Sequence, residues 1–128
     1  MNKAELQERT KKFALRVLKL TERLPNTIGG RVLANQVARS ATSVSANYRA
    51  ACRARSRAEF SSKLGTVAEE ADENLHWLEM IRDGSFIPEK RVAPLLAEAD
   101  ELTAIFTAGR RTSTRNQIPN IKPQTSYS

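Results

Sequence analysis

The sequence predicts an all-α domain of four packed helices. Four segments repeat their apolar residues at steps of three and four, the spacing of one helix face. Proline, glycine or serine separates each segment from the next. No stretch shows the two-residue alternation of a half-buried strand. At 128 residues the chain is long enough for one domain with a real core and too short for two.

The first helix is expected over residues 3–24. Leu6, Phe13, Val17, Leu20 and Leu24 mark its core side, with Ala14 and Leu18 beside them. Lys11, Lys12, Arg16, Lys19 and Arg23 occupy the other faces. A basic amphipathic helix also suits a membrane surface or a calmodulin-like partner. Here the apolar side lacks tryptophan and three more helices follow to cover it, which favours a bundle helix. Pro25 ends the segment, because the residue before a proline leaves the α region. Gly29-Gly30 costs helix stability, so the second helix is expected to become regular near Arg31. The pair is no phosphate loop, since it lacks the strand and the Gly-Lys-Ser/Thr pattern.

Leu33, Val37, Ala41, Val44, Tyr48 and Ala51 give the second helix its core face, and it is expected to end near Ala54 or Arg55. Ser56-Arg57-Ala58-Glu59 has the capping-box form and starts the third helix. That helix runs to about Arg82 on Phe60, Leu64, Val67, Ala71, Asn74, Leu78 and Ile81, with Leu75 and Trp77 widening the stripe. Asp83-Gly84 is its stop, with Gly84 expected to take the left-handed conformation. Pro88 suits the start of the fourth helix, whose core face is Val92, Leu95, Leu96, Ala99, Leu102, Ile105 and Phe106. Pro94 is tolerable in its first turns. Gly109 closes the strong pattern, with room for a few further helical residues. The expected division is a helical domain over 1–109 and a flexible basic tail over 110–128, which is polar and free of acids.

Charge is unevenly spread around a net +7. Residues 1–24 hold seven bases and three acids, and residues 25–58 hold six bases and no acid. Residues 59–108 hold four bases and eleven acids, and residues 109–128 four bases and no acid. A basic surface raises affinity for nucleic acid or anionic membrane. Complementary halves can instead pair, within the chain or between subunits. No run approaches the ~18 apolar residues of a spanning helix, and the N-terminus has no secretory signal. No membrane association is expected, and a cytoplasmic location is the default.

Catalysis finds little support. Cys52 is the only cysteine and His76 the only histidine. Cys52 reads as a small buried thiol. Zinc would need more ligands at suitable spacing. Glu73-x-x-His76, with Glu70, resembles half of a di-iron carboxylate site, but the first two helices offer only Glu5, Glu8 and Glu22, near their ends. No metal, cofactor or catalytic residue is therefore expected. Glu70 and Glu73 are expected to meet arginines or water. Ser43 and Asn47 lie four apart at the edge of the core face, where polar groups need partners. They are expected to bond a neighbouring helix or fix an oligomer's register.

The richest signal is the stretch from Arg31 to Glu59. On a continuous helix, Arg31, Arg39, Arg49, Arg53 and Arg57 fall within roughly 80° of one another. Arginine suits bidentate contacts to phosphate or carboxylate. These five, with Lys11, Lys12 and the tail, are the candidate nucleic-acid contacts. No aromatic ring interleaves with them, which favours backbone over base contacts.

The stretches NQVARSATSVSANYRAACRARSRAEFSSKLG and EEADENLHWLE, with the Leu-Pro turn and the DGSFIP link, resemble the four-helix-bundle family of the 23S rRNA intervening-sequence protein. The resemblance covers roughly residues 10–110. Other branches carry Ser-Ile-Pro-x-Asn-Ile-Ala-Glu-Gly after a Gln-x-x-Arg. Gln36, Arg39, Ser43 and Asn47 match that pattern and Val44 replaces its isoleucine, while Ser45, Ala50 and Ala51 depart from its proline, glutamate and glycine. The resemblance implies an up-and-down antiparallel four-helix bundle and a ring-shaped homopentamer. It also implies bacterial genes, some of them inside ribosomal RNA intervening sequences, and no enzymatic activity. A similar accessory protein of diversity-generating retroelements binds a reverse transcriptase and nucleic acid, so a protein partner is a further expectation.

Two functional expectations follow. One is a non-enzymatic, oligomeric module that binds RNA or DNA through the arginine face. The other is a structural or adaptor oligomer whose arginines pair with Glu69, Glu70, Asp72, Glu73 and Glu79 across subunits. Trp77 joins Ser43, Asn47, Glu70 and Glu73 as an expected structural or interface residue.

Overall fold

A computed structural model of the protein describes residues 1–117, with side-chain surroundings to residue 114. It contains four helices, α1 (Lys3–Thr21), α2 (Ile28–Cys52), α3 (Arg57–Asp83) and α4 (Glu89–Gln117). Short connections make successive helices antiparallel neighbours. The diagonal pairs α1–α3 and α2–α4 make no extensive backbone contact, and α1 meets α4 least closely of the neighbouring pairs. This is the expected up-and-down antiparallel four-helix bundle. Val17, Val37, Val67, Leu78, Ile81, Val92, Leu102 and Phe106 are among its buried centre.

The helix ends differ in detail from the expectation, each for a local reason. α1 begins with a full capping box that the periodicity did not single out. Asn2 Oδ1 accepts from Glu5 N at 2.8 Å, and Asn2 N donates to Glu5 Oε1 at 2.9 Å. α2 starts at Ile28, three residues before Arg31, because Thr27 Oγ1 accepts from Gly30 N at 3.0 Å and caps it there. Both glycines are thus helical. Gly30 answers a close approach: a Cβ there would lie 2.0 Å from the carbonyl oxygen of Pro25. The Ser56 box is half formed. Ser56 Oγ accepts from Glu59 N at 3.0 Å, but the Glu59 carboxylate accepts from Arg55 N, one residue before the cap.

Gly84 stays in the right-handed region at φ −82°, and Ser85 carries the left-handed turn at φ 57°. Glycine is required at 84 for space, since a Cβ would lie 2.7 Å from the Phe86 ring. α4 runs eight residues past Gly109, so the expected boundary at 109/110 falls inside a helix. Its end packs along α3. The Arg110 stem lies against Gly65, Arg110 Nη1 is 3.8 Å from Glu69 Oε2, and the Ser61 and Thr114 hydroxyls are 3.3 Å apart. The rest of the expected tail, residues 118–128, lies outside the described residues.

One polar group crosses the core. Asn74, on the face of α3 otherwise filled by apolar residues, is 1% exposed. Its Nδ2 donates to the Val37 carbonyl at 3.1 Å and to Ser40 Oγ at 3.0 Å. Ser40 in turn donates back to its own helix at Gln36 O, 2.9 Å. This bond ties α3 to α2 at the level of Val37 and Ser40, while the buried Asn74 Oδ1 has no hydrogen-bond partner among the described residues.

Two stability outcomes are expected. Gly30→Ala should lose about 1–3 kcal/mol by overpacking against Pro25, read as a lower midpoint in urea. Asn74→Asp should cost about 3 kcal/mol or more by burying a charge without its donors. Asn74→Leu should stay within about 1.5 kcal/mol of the natural chain, because it leaves no buried group newly stranded. A Leu variant as unstable as the Asp variant would contradict this.

Candidate nucleic-acid interface

The α2–α3 register decides which arginines meet acids. Asn74 opposite Val37 and Ser40 places the acidic run of α3 beside the middle of α2. Arg39 lies there. Its Nη1 is 3.3 Å from Glu70 Oε1, and its Nη2 pairs with Glu73. Trp77 Nε1 donates to the same Glu73 carboxylate at 3.2 Å. Glu73, then burial and Glu70, set the balance at the Arg39 guanidinium, which is pushed further toward its charged form. The structure therefore brings the expected Glu70, Glu73 and Trp77 together, around an arginine of their own chain.

Arg49 and Arg53 lie beyond that acidic run. Arg49 is in the last turn of α2 and Arg53 caps it. Both are exposed, and neither side chain has a hydrogen bond or ion pair among the described residues. They line an open groove of ≈ 830 Å³ with Arg55, Lys63, Glu59 and two alanines. Glu59, the one carboxylate there, already accepts from Arg55 N at 2.6 Å. Four cations thus face solvent against one engaged acid. A second groove, between α1 and α2, adds Lys11 to Arg49 and Arg53 and runs past the exposed Leu15 and Leu18.

The remaining candidates are dispersed. Arg31 is exposed at the other end of α2 and donates to Asn26 Oδ1 at 2.9 Å. Arg57 opens α3, so the helix break removes it from the α2 stripe. It lines a mostly apolar pocket of ≈ 480 Å³ with Phe60, Leu64, Ile105 and Phe106. Lys12 lies on the α4 side of α1, near Arg9 and Glu98. Asn47 Nδ2 donates to Ser43 O at 2.9 Å and Ser43 Oγ at 2.8 Å, so this half-buried pair closes on α2 itself. Arg55 and Lys63 were not singled out from the sequence. They stand on a loop and on the next helix, and only the α2–α3 register gathers them with Arg49.

The groove presents donors of the kind that suit an anion. It offers guanidinium and ammonium donors, no aromatic platform and no nucleophile–base pair, which suits phosphate contacts and not base reading. Cys52 is half-buried. Burial, with the Cys52 thiol beside it, pushes the Tyr48 phenol well above its ordinary value, and the Tyr48 ring packs on Phe106 at 5.2 Å. The His76 ring meets Trp77 edge-on at 5.1 Å. Among the described residues no three His, Cys, Asp or Glu side chains gather as metal ligands, and no helix is long and apolar enough to cross a membrane.

Residues 2–108 match the model of the 23S rRNA-intervening sequence protein family. The chain belongs to that family. The match covers the four helices and stops short of the last turns of α4. The chain is also similar to a crystal structure, at 1.70 Å resolution, of a protein with unknown function from the S23 ribosomal protein family of Bacteroides thetaiotaomicron VPI-5482. The two share 29% identity with a TM-score of 0.78, over 87% of this chain and 99% of that one. Comparison with curated proteins finds no match.

The contrast between paired and unpaired arginines is measurable. Arg39→Ala should lower stability by about 0.2–1 kcal/mol, as expected for a half-exposed ion pair. Arg49→Ala and Arg53→Ala should each stay within about 0.5 kcal/mol of the natural chain. Urea denaturation of the three variants checks the order, and equal losses at all three positions would contradict it.

Proposed function

We propose that this protein is a non-enzymatic, oligomeric bundle that associates with RNA through the basic end of α2. The observation that carries the reading is the groove of Arg49, Arg53, Arg55 and Lys63. Its charge is not neutralised within the chain, among the described residues. Lys11 extends it toward α1. A stable fold does not require such a cluster, whereas a phosphate backbone is held by one. The family's name points to ribosomal RNA, and RNA is accordingly ranked above DNA. A cytoplasmic location accompanies this reading.

Self-association is part of it, and the homopentamer implied by the family resemblance is the assembly proposed. Leu15, Leu18, Ile28 and Val32 are large apolar side chains exposed on the outer sides of α1 and α2. Their exposure supports an oligomer in which a second copy covers them. A second reading, a structural or adaptor oligomer without nucleic acid, draws on one observation. Arg39 shows that α2 arginines do pair with α3 acids, and Asp72 and Glu79 have no ion pair among the described residues to prevent the same between subunits.

The test is titration of a short RNA hairpin at rising salt. The natural chain should bind, with affinity falling steeply between about 50 and 200 mM salt. Arg49→Glu/Arg53→Glu should bind at least tenfold more weakly at low salt while sedimenting at the same mass. Unchanged RNA affinity would refute the first reading. Dissociation of the oligomer by this variant would favour the second.

A further inference from the structure

A second cationic cluster lies on the seam between α1 and α4. Arg16 and Lys19 lie on α1, Arg23 stands in the turn that follows it, and Lys90 and Arg91 stand opposite in the first turn of α4. With Glu22 they line an open cleft of ≈ 660 Å³ floored by Leu20, Pro94 and Leu95. All five bases are exposed, and none of their side chains has a hydrogen bond or ion pair among the described residues.

Stability accounts for only part of this arrangement. Arg16 and Lys19 are three apart on α1, so their like charges repel along one helix face, although Lys19 in the last turn and Arg23 just beyond it complement the C-terminal end of the helix. Lys90 and Arg91 sit at a helix N-terminus, where the peptide dipoles disfavour cations and Glu89 offsets only part. The same seam shows what neutralisation looks like. Further along it, Arg9 Nε is 2.7 Å from Glu98 Oε2, and Arg9 Nη2 also pairs with Glu101. One half of the seam is closed by an internal ion pair, and the other half stays positive and open. The cleft has no aromatic ring, so it offers nothing for a base to stack on.

We propose that this cleft is a second phosphate-binding site, which takes the backbone of a nucleic-acid strand. The inference rests on the RNA-associated reading above and adds a contact on a different face. Lys19 lies about 12 Å along α1 from Lys11, at 1.5 Å per residue. Lys11 belongs to the α2 groove, and the cleft opens toward α4. One strand or stem following the surface can therefore meet both clusters.

The test compares two charge reversals in the full chain, Arg23→Glu/Arg91→Glu in the cleft and Arg49→Glu/Arg53→Glu in the groove. All substituted side chains are exposed, and circular dichroism confirms that each variant is folded. The cleft variant should bind the RNA hairpin about tenfold more weakly at low salt. Its slope of log affinity against log salt should be shallower by about two. Arg23→Lys/Arg91→Lys should retain most of the affinity. Natural affinity and slope in the cleft Glu variant, beside a loss in the groove variant, overturn the inference and leave the earlier reading standing. Loss in the cleft variant alone supports the inference and removes the α2 groove as the contact. Calorimetry with tripolyphosphate separates the sources. Binding of tripolyphosphate that only the cleft variant loses, with RNA affinity unchanged, assigns the cleft to a free polyphosphate and overturns the proposal.

Discussion

The pairing register of α2 and α3 sets most of what is distinctive on this surface. It is tied inside the core by Asn74, whose amide reaches both the Val37 carbonyl and Ser40 Oγ. At the rim it is reinforced by Arg39 between Glu70 and Glu73. A slip of one helical turn would move Asn74 by about 5.4 Å. Its amide would then lose Ser40 Oγ and the Val37 carbonyl. The polar bond adds little net stability, but it disfavours alternatives that apolar packing alone would tolerate.

The register converts a sequence-wide charge imbalance into a local one. α2 carries no acid, and most of the acids of α3 lie in its central and C-terminal parts. Antiparallel pairing brings those acids beside Arg39 and leaves Arg49 and Arg53 opposite a segment with Lys63 and one engaged glutamate. The α1–α4 seam repeats the pattern. Arg9 is held by Glu98 and Glu101, and these carboxylates raise its affinity for a proton further. Toward the opposite end of the bundle the seam holds bases on both helices, and α1 meets α4 least closely of the neighbouring pairs. Repulsion across that end is a physical reason for a looser fourth side.

The helices were legible because their apolar spacing is long and regular. Leu33 to Ala51 and Leu64 to Ile81 are buried as the pattern requires, and Asn74 was placed on the core face. The ends were less legible, because they depend on contacts between segments. Gly30 looked like a helix breaker, but it is the residue that lets α2 begin against Pro25. Gly84 looked like the left-handed stop, but the Phe86 ring requires a glycine there and Ser85 makes the turn. Residues 110–114 read as tail because they are polar, yet they lie along the small side chains Ser61 and Gly65 of α3. The candidate site suffered from one assumption, a continuous helix through Ser56. The serine cap breaks it, carries Arg57 to another face, and lets Arg55 and Lys63 take its place.

Local helix energetics separate the two basic clusters in a way that composition cannot. Arg49 and Arg53 stand at the C-terminal end of α2, where cations complement the exposed carbonyls and the dipole. Part of their presence is thus explained by the helix that bears them. Lys90 and Arg91 stand at the opposite kind of terminus and oppose the dipole of α4. Arg16 and Lys19 oppose one another on α1. Lys19 and Arg23 on the α1 wall stand where a helix end favours cations, as Arg49 and Arg53 do. The bases of the α4 wall work against their own helix, and an anion bound in the cleft would offset that cost.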